Sequence, residues 1–475
     1  MHANPTPPAA SPDDFRAHLP NQLTSGERKW LYPRATTGRY TRWRMVVAGV
    51  LLALLIAGPF VWVDGHPLFL FNILERRFIL FGVPFWPQDF YLVAIGLITS
   101  VVFIAVFTVI YGRVFCGWAC PQTIFMEGVF RTVERWIEGD HKARQQRDTG
   151  PWTTDKLIRK TAKHLVFFLM AFGISNVFLA YVIGRDAWQQ LISDPPDQHA
   201  LGLLAMLVFT GVFYAVFAHL REIVCTTICP YGRLQSVLLD RHSLVVAYDF
   251  VRGEPRGKRR RTAPAPAPQT GDCVDCALCV QVCPTGIDIR NGTQLECINC
   301  TACMDACDQV MTTIGRPRGL IRLDSQQGIE TGQGFRITAR LGAYTALLLV
   351  LLGVMTYGLL SRPDLDVTIL RAPGQLYQRT PAGQIQNLYT ADIINKTYHT
   401  LPLTLRVDRP GATLRLVQPL TQVLPGTLTK ALFFITLPDT TIRQPTTPLT
   451  IDVLSDGRLV DQFNTTFTGP ATGVH

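Results

Sequence analysis

Eight of the chain's twelve cysteines fall in one stretch, CVDCALCVQVCPTGIDIRNGTQLECINCTACMDACD, residues 273–308. Cys273, Cys276, Cys279 and Cys283 recur 24 residues on as Cys297, Cys300, Cys303 and Cys307. C-x2-C-x2-C-x3-C is the ligand run of a cubane [4Fe-4S] cluster, and two tandem runs make the bacterial two-cluster ferredoxin arrangement, in which the fourth cysteine of each run crosses to the other cluster. The spacing therefore predicts one cluster on Cys273, Cys276, Cys279 and Cys307, and a second on Cys297, Cys300, Cys303 and Cys283. A zinc site would separate two C-x2-C pairs by a longer loop, and a disulfide framework would need an oxidising compartment. Cys283 is followed by Pro284, as the bacterial pattern expects, whereas Cys307 is followed by Asp308. An acid there lowers the potential of its cluster, because its charge opposes an added electron.

The rest of the 475 residues cannot all be water-soluble. Five stretches approach the roughly 20 apolar residues that cross a bilayer as a helix: 45–63, 91–111, 165–183, 200–219 and 341–360. Between the first two, residues 65–90 are apolar but broken by prolines and charges. They read as an interfacial or partly re-entrant loop, with Phe85 and Trp86 in the headgroup belt. More than forty residues precede the first apolar run, too many for a signal peptide, so that run is expected to be a retained helix. Lys and Arg number 7 in 1–44, 2 in 64–90, 10 in 112–164 and 1 in 184–199. This alternation puts the amino terminus in the cytoplasm, and five crossings put the carboxyl-terminal tail outside it. All twelve cysteines then lie on the reducing side or at its membrane edge, where iron–sulfur ligands belong.

The other four cysteines form a second repeat. YGRVFCGWACP (111–121) and LREIVCTTICP (220–230) each place C-x3-C-P directly after an apolar span, with Cys116 and Cys225, and Cys120 and Cys229, each 109 apart. Spans one and two with the first motif thus look like a distant repeat of spans three and four with the second. An amphipathic helix is expected after each Cys-Pro, on Phe125, Val129, Val133 and Ile137 in one copy and on Leu234, Val237 and Leu238 in the other. Proline suits the first helical position. Cys120 and Cys229 would then cap helix amino termini, where the dipole favours a thiolate. Four convergent thiols could hold a further iron–sulfur cluster, bind copper, or shuttle between dithiol and disulfide. The spacing does not decide among these. His164 and His219 stand at the cytoplasmic ends of spans three and four as polar caps or as metal or quinone ligands, and Met126 reads as core packing or a soft thioether. The basic run 252–261 suits lipid headgroups or plain positive-inside charge, and 262–271 is a stiff Pro/Ala linker.

After residue 360 the pattern changes to short alternating runs, VTIL, TLPLTLRV, ATLRLV, ALFFITL, LTIDVL and LVDQFNTTF, with Asp456-Gly457 as a hairpin signal. About seven strands with Pro and Gly turns fit an immunoglobulin-like β-sandwich. It has no cysteine, and its histidines are His399 and His475, so it reads as a docking module outside the cytoplasm rather than a catalytic domain.

The expected architecture is a multi-domain integral membrane protein of five transmembrane helices, with a cytoplasmic ferredoxin-like domain and an immunoglobulin-like tail. Its segments are a cytoplasmic 1–44, a four-helix unit 45–220, a cytoplasmic helix and linker 221–271, a ferredoxin-like 272–330, a fifth span 341–360 and a periplasmic 361–475. Taken with GERKWLYPRATTGRYTRWR (26–44), these motifs resemble the cytochrome c oxidase accessory proteins of the CcoG, FixG or RdxA family over nearly the whole chain. Membrane polyferredoxins of quinol dehydrogenases are similar only over the first four spans and the clusters. The family resemblance implies a bacterial inner-membrane location and a part in assembling cbb3-type haem–copper oxidase, by reducing Cu(II) to Cu(I) for delivery. It casts the eight ferredoxin cysteines as the electron store, and Cys116, Cys120, Cys225 and Cys229 as the copper-binding and reducing thiols. Expected cofactors are two [4Fe-4S] clusters, with copper a candidate ligand of those four thiols. Expected partners are the membrane, oxidase subunits or copper-handling proteins and an unidentified electron donor, with no nucleic acid. The rival readings are a non-catalytic assembly scaffold and a quinol-oxidising conduit to another acceptor.

Overall fold

The computed structural model describes residues 27–63, 66–72, 77–80, 82–85, 89–257, 271–333, 338–374, 376–397, 399–442, 444–455 and 457–470. Most of the basic run and linker (258–270), Trp86, Asp456 and His475 lie outside these residues. The chain divides into two compact bodies, one of Met1–Glu75 with Ala94–Gly353 and one of Arg76–Val93 with Val354–His475.

Five helices among the described residues are long and apolar enough to cross a membrane: Arg39–Ala57, Phe90–Tyr111, Thr154–Ile183, Ala200–Leu220 and Ala339–Leu360, here spans 1 to 5. Span 1 starts six residues before its apolar run, because its amino terminus is satisfied from elsewhere in the fold. Asp305 accepts hydrogen bonds from the backbone N–H groups of Tyr40 (3.1 Å) and Thr41 (2.6 Å) and from the Thr41 hydroxyl (2.7 Å). Free N–H groups at a helix start attract such an anion. Span 3 starts eleven residues early, capped by the Thr153 hydroxyl on Lys156 N–H. Its polar first turns are stabilised by buried carboxylates. Lys163 meets Glu138 at 3.1 Å and Glu134 at 3.7 Å, while Lys160 meets Asp148 at 2.6 Å.

Glu134 and Glu138 belong to the segment after the first Cys-Pro, which runs as a helical turn 121–123, a π-helical stretch Ile124–Phe130 and a helix Arg131–Glu138, and Asp148 to the next helix, His141–Thr149. Phe125 is buried as expected, but Val129, Val133 and Ile137 are only half-buried, and the deepest positions include Arg131, Glu134 and Glu138. Glu134 pairs with Arg144 (2.8 Å), Arg221 and Lys163, and Glu222 pairs with Arg131 (3.1 Å) and Arg28 (3.0 Å). The helix Pro230–Leu238 after the second Cys-Pro reverses the sequence expectation more fully. It buries Gly232, Gln235 and Ser236 and exposes Leu234 and Val237. The inner face meets thiols and needs hydrogen-bonding groups, so the apolar side chains take the outside.

The ferredoxin-like unit pairs strand Val245–Tyr248 antiparallel with Ile321–Asp324 and carries helices Leu278–Gln281 and Ala302–Thr313. The amino-terminal segment is laced into this body. Arg34 N–H donates to the Gln281 carbonyl (2.9 Å), Tyr32 hydroxyl to Asp148 (2.6 Å), Arg144 to the Pro33 carbonyl (3.2 Å) and Arg44 to the Cys300 carbonyl (3.0 Å).

In the second body, the loop before span 2 forms a hairpin, Arg77–Leu80 with Val83–Phe85. Phe85 is buried beneath the Arg362 guanidinium, 5.3 Å from ring centre. Asp89 accepts from Arg362 (2.6 Å) and Lys396 (2.7 Å). The sandwich has one sheet in the order 413–416, 428–438, 384–395, 365–371 and another in the order 404–407, 446–455, 458–468. Ile385, Tyr389, Ile393, Phe433, Ile435, Ile451, Val453 and Phe467 fill the space between them. The Tyr389 hydroxyl crosses to the Thr466 carbonyl at 2.9 Å.

Candidate iron–sulfur and thiol site

Two cavities in the ferredoxin-like unit are lined by the tandem cysteines. One has Cys273, Cys276, Cys279 and Cys307 on its walls with Tyr248, Arg290 and Met311. The other has Cys283, Cys297, Cys300 and Cys303 on its walls, together with Cys279. The fourth cysteine of each run therefore faces the other run's cavity. The backbone supports the same assignment. Asp275 and Ala277 (φ 50° and 52°) and, 24 residues on, Asn299 and Thr301 (φ 52° and 63°) take the left-handed conformation that non-glycine residues rarely adopt. Such strain clusters where a loop must wrap a ligand.

Among the described residues, no three His, Cys, Asp or Glu side chains converge on a single-ion site. A cubane, which keeps its ligand sulfurs farther apart than one ion does, fits these walls. Burial pushes the Cys297, Cys279 and Cys307 thiols up to about 12. They are protonated at neutral pH until a metal displaces the proton. Asp308, beside Cys307, accepts from the Gly319 N–H at 2.8 Å.

The four C-x3-C-P thiols lie near enough to act on one another electrostatically, although among the described residues no three of them meet at a single-ion site. Cys116 lies on a short helix, Val114–Trp118, and Cys225 on a π-helical turn, Val224–Ile228. Cys120 and Cys229 each immediately precede a helix with proline first. Cys120 and Cys229 act electrostatically on Cys116, and all three act on Cys225. Burial pushes the Cys116 thiol up to about 11, against the pull of Arg113, and Cys225 up to about 12. Cys120 also rises, because burial outweighs the N–H groups of Thr123 and Gln122 that face it. The thiolate expected at this helix start is thus not favoured there. Desolvation outweighs what the helix start and its N–H groups contribute.

Sequence reasoning missed the groups that hold these thiols. The Cys116 Sγ–H donates to the Gln235 Oε1 at 2.8 Å, and Gln235 Nε2 donates to the Thr108 hydroxyl (2.9 Å) and the Tyr231 hydroxyl (2.8 Å). Gln235 and Thr108 are fully buried. A lone glutamine inside an otherwise apolar helix signature was the available signal. Elsewhere, His164 accepts or donates to Tyr214 at 2.7 Å and stacks on His219 with ring centres 6.3 Å apart, apart from the thiols. Met126 is buried with Phe125, Phe130, Phe167 and Phe217, in core packing.

Beside the thiols lies the second cavity. Cys116 packs in one cluster with Val282, Ile298, Cys300, Ala302 and Ala306, joined by Tyr231 and Cys303. A membrane protein with paired cysteine-lined cavities and thiols stacked against one of them belongs to the iron–sulfur redox class.

Comparison with known proteins narrows the class. Family models match residues 220–326 as a 4Fe-4S dicluster domain, 93–139 as a 4Fe-4S binding domain, and 355–470 as "IG-like fold at C-terminal of FixG". The chain is 32% identical over 462 residues to the nitrogen fixation protein FixG of Rhizobium meliloti, covering 87% of each. It is 35% identical over 387 residues to protein RdxB of Cereibacter sphaeroides, covering 78% of this chain and 80% of that one. A crystal structure of a FixG-related protein from Vibrio parahaemolyticus aligns over 22% of this chain and 97% of that one, at 18% identity and a TM-score of 0.21. The chain belongs to the FixG/RdxA family.

Proposed function

We propose that this protein is a membrane-bound reductase that converts Cu(II) to Cu(I) at the four C-x3-C-P thiols, for delivery during maturation of a cbb3-type oxidase. The observation that carries the reading is that Cys116 shares one core cluster with Cys300 and Cys303, with the adjoining Gly117 set directly against the Cys300 backbone. Cys273, Cys276, Cys279 and Cys307 would hold one [4Fe-4S] cluster, and Cys283, Cys297, Cys300 and Cys303 the other. When bound, these clusters supply single electrons, and each Cu(II) takes one to become Cu(I). The electrons enter from a reductant of the cytoplasm or from quinol.

The chain's own residues do the remaining work. Cys116, Cys120, Cys225 and Cys229 are soft donors that prefer Cu(I) to Cu(II), and so favour the reduced ion once it forms. Because burial keeps Cys116 and Cys225 protonated when empty, copper capture there releases protons. Gln235 accepts from the Cys116 thiol and is itself held by Thr108 and Tyr231, fixing the direction of that sulfur. In this reading the amino terminus and the ferredoxin-like unit face the cytoplasm, and the immunoglobulin-like tail docks an oxidase subunit or a copper-handling protein outside it.

A second reading rests on the family match over 93–139. That segment is matched as 4Fe-4S binding, and its cysteines are Cys116 and Cys120. The four thiols would then hold a further cluster that passes electrons onward. Metal analysis of the anaerobically purified protein separates the two. Eight irons per chain, with Cu(I) bound by the wild type and not by the Cys116→Ser/Cys120→Ser/Cys225→Ser/Cys229→Ser variant, supports the copper site. Twelve irons, falling to eight in that variant, supports the further cluster.

A further inference from the structure

We infer that Arg113 is the shared counter-charge of the four-thiol site and of the cluster on Cys283, Cys297, Cys300 and Cys303, setting that cluster's potential. The inference rests on the cluster assignment above but not on copper being the acceptor.

Arg113 directly precedes the short helix that carries Cys116 and is 2% exposed. Its guanidinium, a permanent cation, pairs with no carboxylate among the described residues. One Nη donates to the backbone carbonyl of Leu295, at the entry to the Cys297 loop, and its Nε is buried without a partner. A buried charge left unpaired in this way is costly. The anionic groups that can face it are sulfurs. The groups around it belong to the sulfur sites: the Leu295 carbonyl stands two residues before Cys297, and Gly232 brings it beside the Cys225 carbonyl.

The space for it is made by Gly232, three residues after Cys229. A Cβ at 232 would stand 2.8 Å from the other Nη and 3.1 Å from the Cys225 carbonyl oxygen. One cation thus touches the first thiol motif, the segment after the second and the loop of one cluster. Arg44 also reaches that cluster, through the Cys300 carbonyl, but it does not reach the thiols. Adding an electron to a cluster adds negative charge, which a fixed cation stabilises. When a metal cation binds the thiols, it shares the field of Arg113, so metal occupancy and the potential of this cluster are coupled.

The test is a potentiometric titration, followed by electron paramagnetic resonance, of the full-length, cluster-loaded protein without copper. It compares wild type, Arg113→Lys and Arg113→Gln. The expected result is a selective fall in the midpoint of the cluster on Cys283, Cys297, Cys300 and Cys303 in R113Q. A tenfold loss in its one-electron reduction equilibrium is about 59 mV. R113K should recover part of the fall, and the other cluster should keep its midpoint. Unchanged midpoints, or equal movement of both clusters, overturns the inference. If R113Q does not retain its iron, Gly232→Ala displaces the guanidinium while keeping the charge nearby, and the same selective fall or its absence decides. A selective fall in protein that never reduces copper would retain this inference and reject the copper reading.

Discussion

Gly117 lies directly against the backbone of Cys300. A Cβ on Gly117 would stand 2.5 Å from the Ile298 carbonyl oxygen and 2.8 Å from the Cys300 Cα. The obstructing atoms are backbone on both counts, so no side-chain rotation relieves them. Glycine follows the first motif cysteine because the thiol segment must touch the cluster loop. Gly117→Ala should push the two apart, at a cost of about 1–3 kcal/mol for overpacking. The expected outcome is retained iron in both cavities, lower stability and slower electron delivery to the thiol site, because the two segments are forced apart. Stopped-flow reoxidation of the reduced clusters by Cu(II) measures it.

Asp305 fastens the ferredoxin-like unit to span 1 through three hydrogen bonds. Asp305→Ala removes the acceptor for two helix-start N–H groups and should destabilise the body by about 1–2 kcal/mol, the usual range for a lost cap. Asp305→Asn should recover only part of the loss, because its single amide oxygen can replace one acceptor while its NH2 faces the donors on the other side. Limited proteolysis of residues 271–333 and thermal unfolding report the difference.

Glu134 makes acid stability predictable. Burial alone would raise its carboxyl, but Arg221, Arg144 and Lys163 overcome that and lower it to about 2 from an ordinary 4.5. A carboxyl lowered by folding contributes stability that is fully present above the unfolded value and disappears as pH falls toward the folded one. The contribution should therefore be complete above about pH 4.5 and drain away between there and pH 2. Glu134→Gln leaves buried cations unmatched, a loss of about 3–5 kcal/mol at neutral pH, and should flatten this acid limb. Thermal unfolding as a function of pH measures both.

The empty thiols should be unreactive at neutral pH. With metals removed, Cys116 and Cys225 are held up to about 11 and about 12 by burial, and only the thiolate alkylates. Their carboxymethylation should climb about tenfold per pH unit well beyond pH 9, where an ordinary thiol with a value near 8.5 has levelled off. Site-resolved mass spectrometry after timed iodoacetate treatment follows each cysteine. A plateau below pH 9 would contradict the burial described here.

Much of this was legible in the sequence. Cysteine spacing is rigid chemistry, and it alone pairs Cys283 with the second run and Cys307 with the first, as the cavities do. Apolar length gave the five spans, although not their starts, because Asp305 and the Glu134 network extend two helices into polar sequence. Amphipathic reasoning failed on Leu234 and Val237. It assumes that polar residues face out, whereas a thiol site draws Gln235 inward and leaves Leu234 exposed. The strand 384–395, the longest of the tail, was missed since its inward row carries Asn387 and the small Ala391 among Ile385, Tyr389 and Ile393. The π-helical turns at 124–130, 216–220 and 224–228 flank both thiol motifs and have no sequence signature. They arise from tertiary packing around the site, where such turns concentrate.

The most direct test of the central claim is anaerobic and stoichiometric. The purified full-length protein is reduced until both clusters have bleached, freed of excess reductant and mixed with Cu(II), and cluster absorbance and Cu(I) are followed together. The account predicts one Cu(I) formed per electron withdrawn, with loss of the reaction in the variant lacking Cys116, Cys120, Cys225 and Cys229 while its eight cluster irons remain. Clusters that stay reduced in front of Cu(II), or that reduce it equally well without those four thiols, would contradict it.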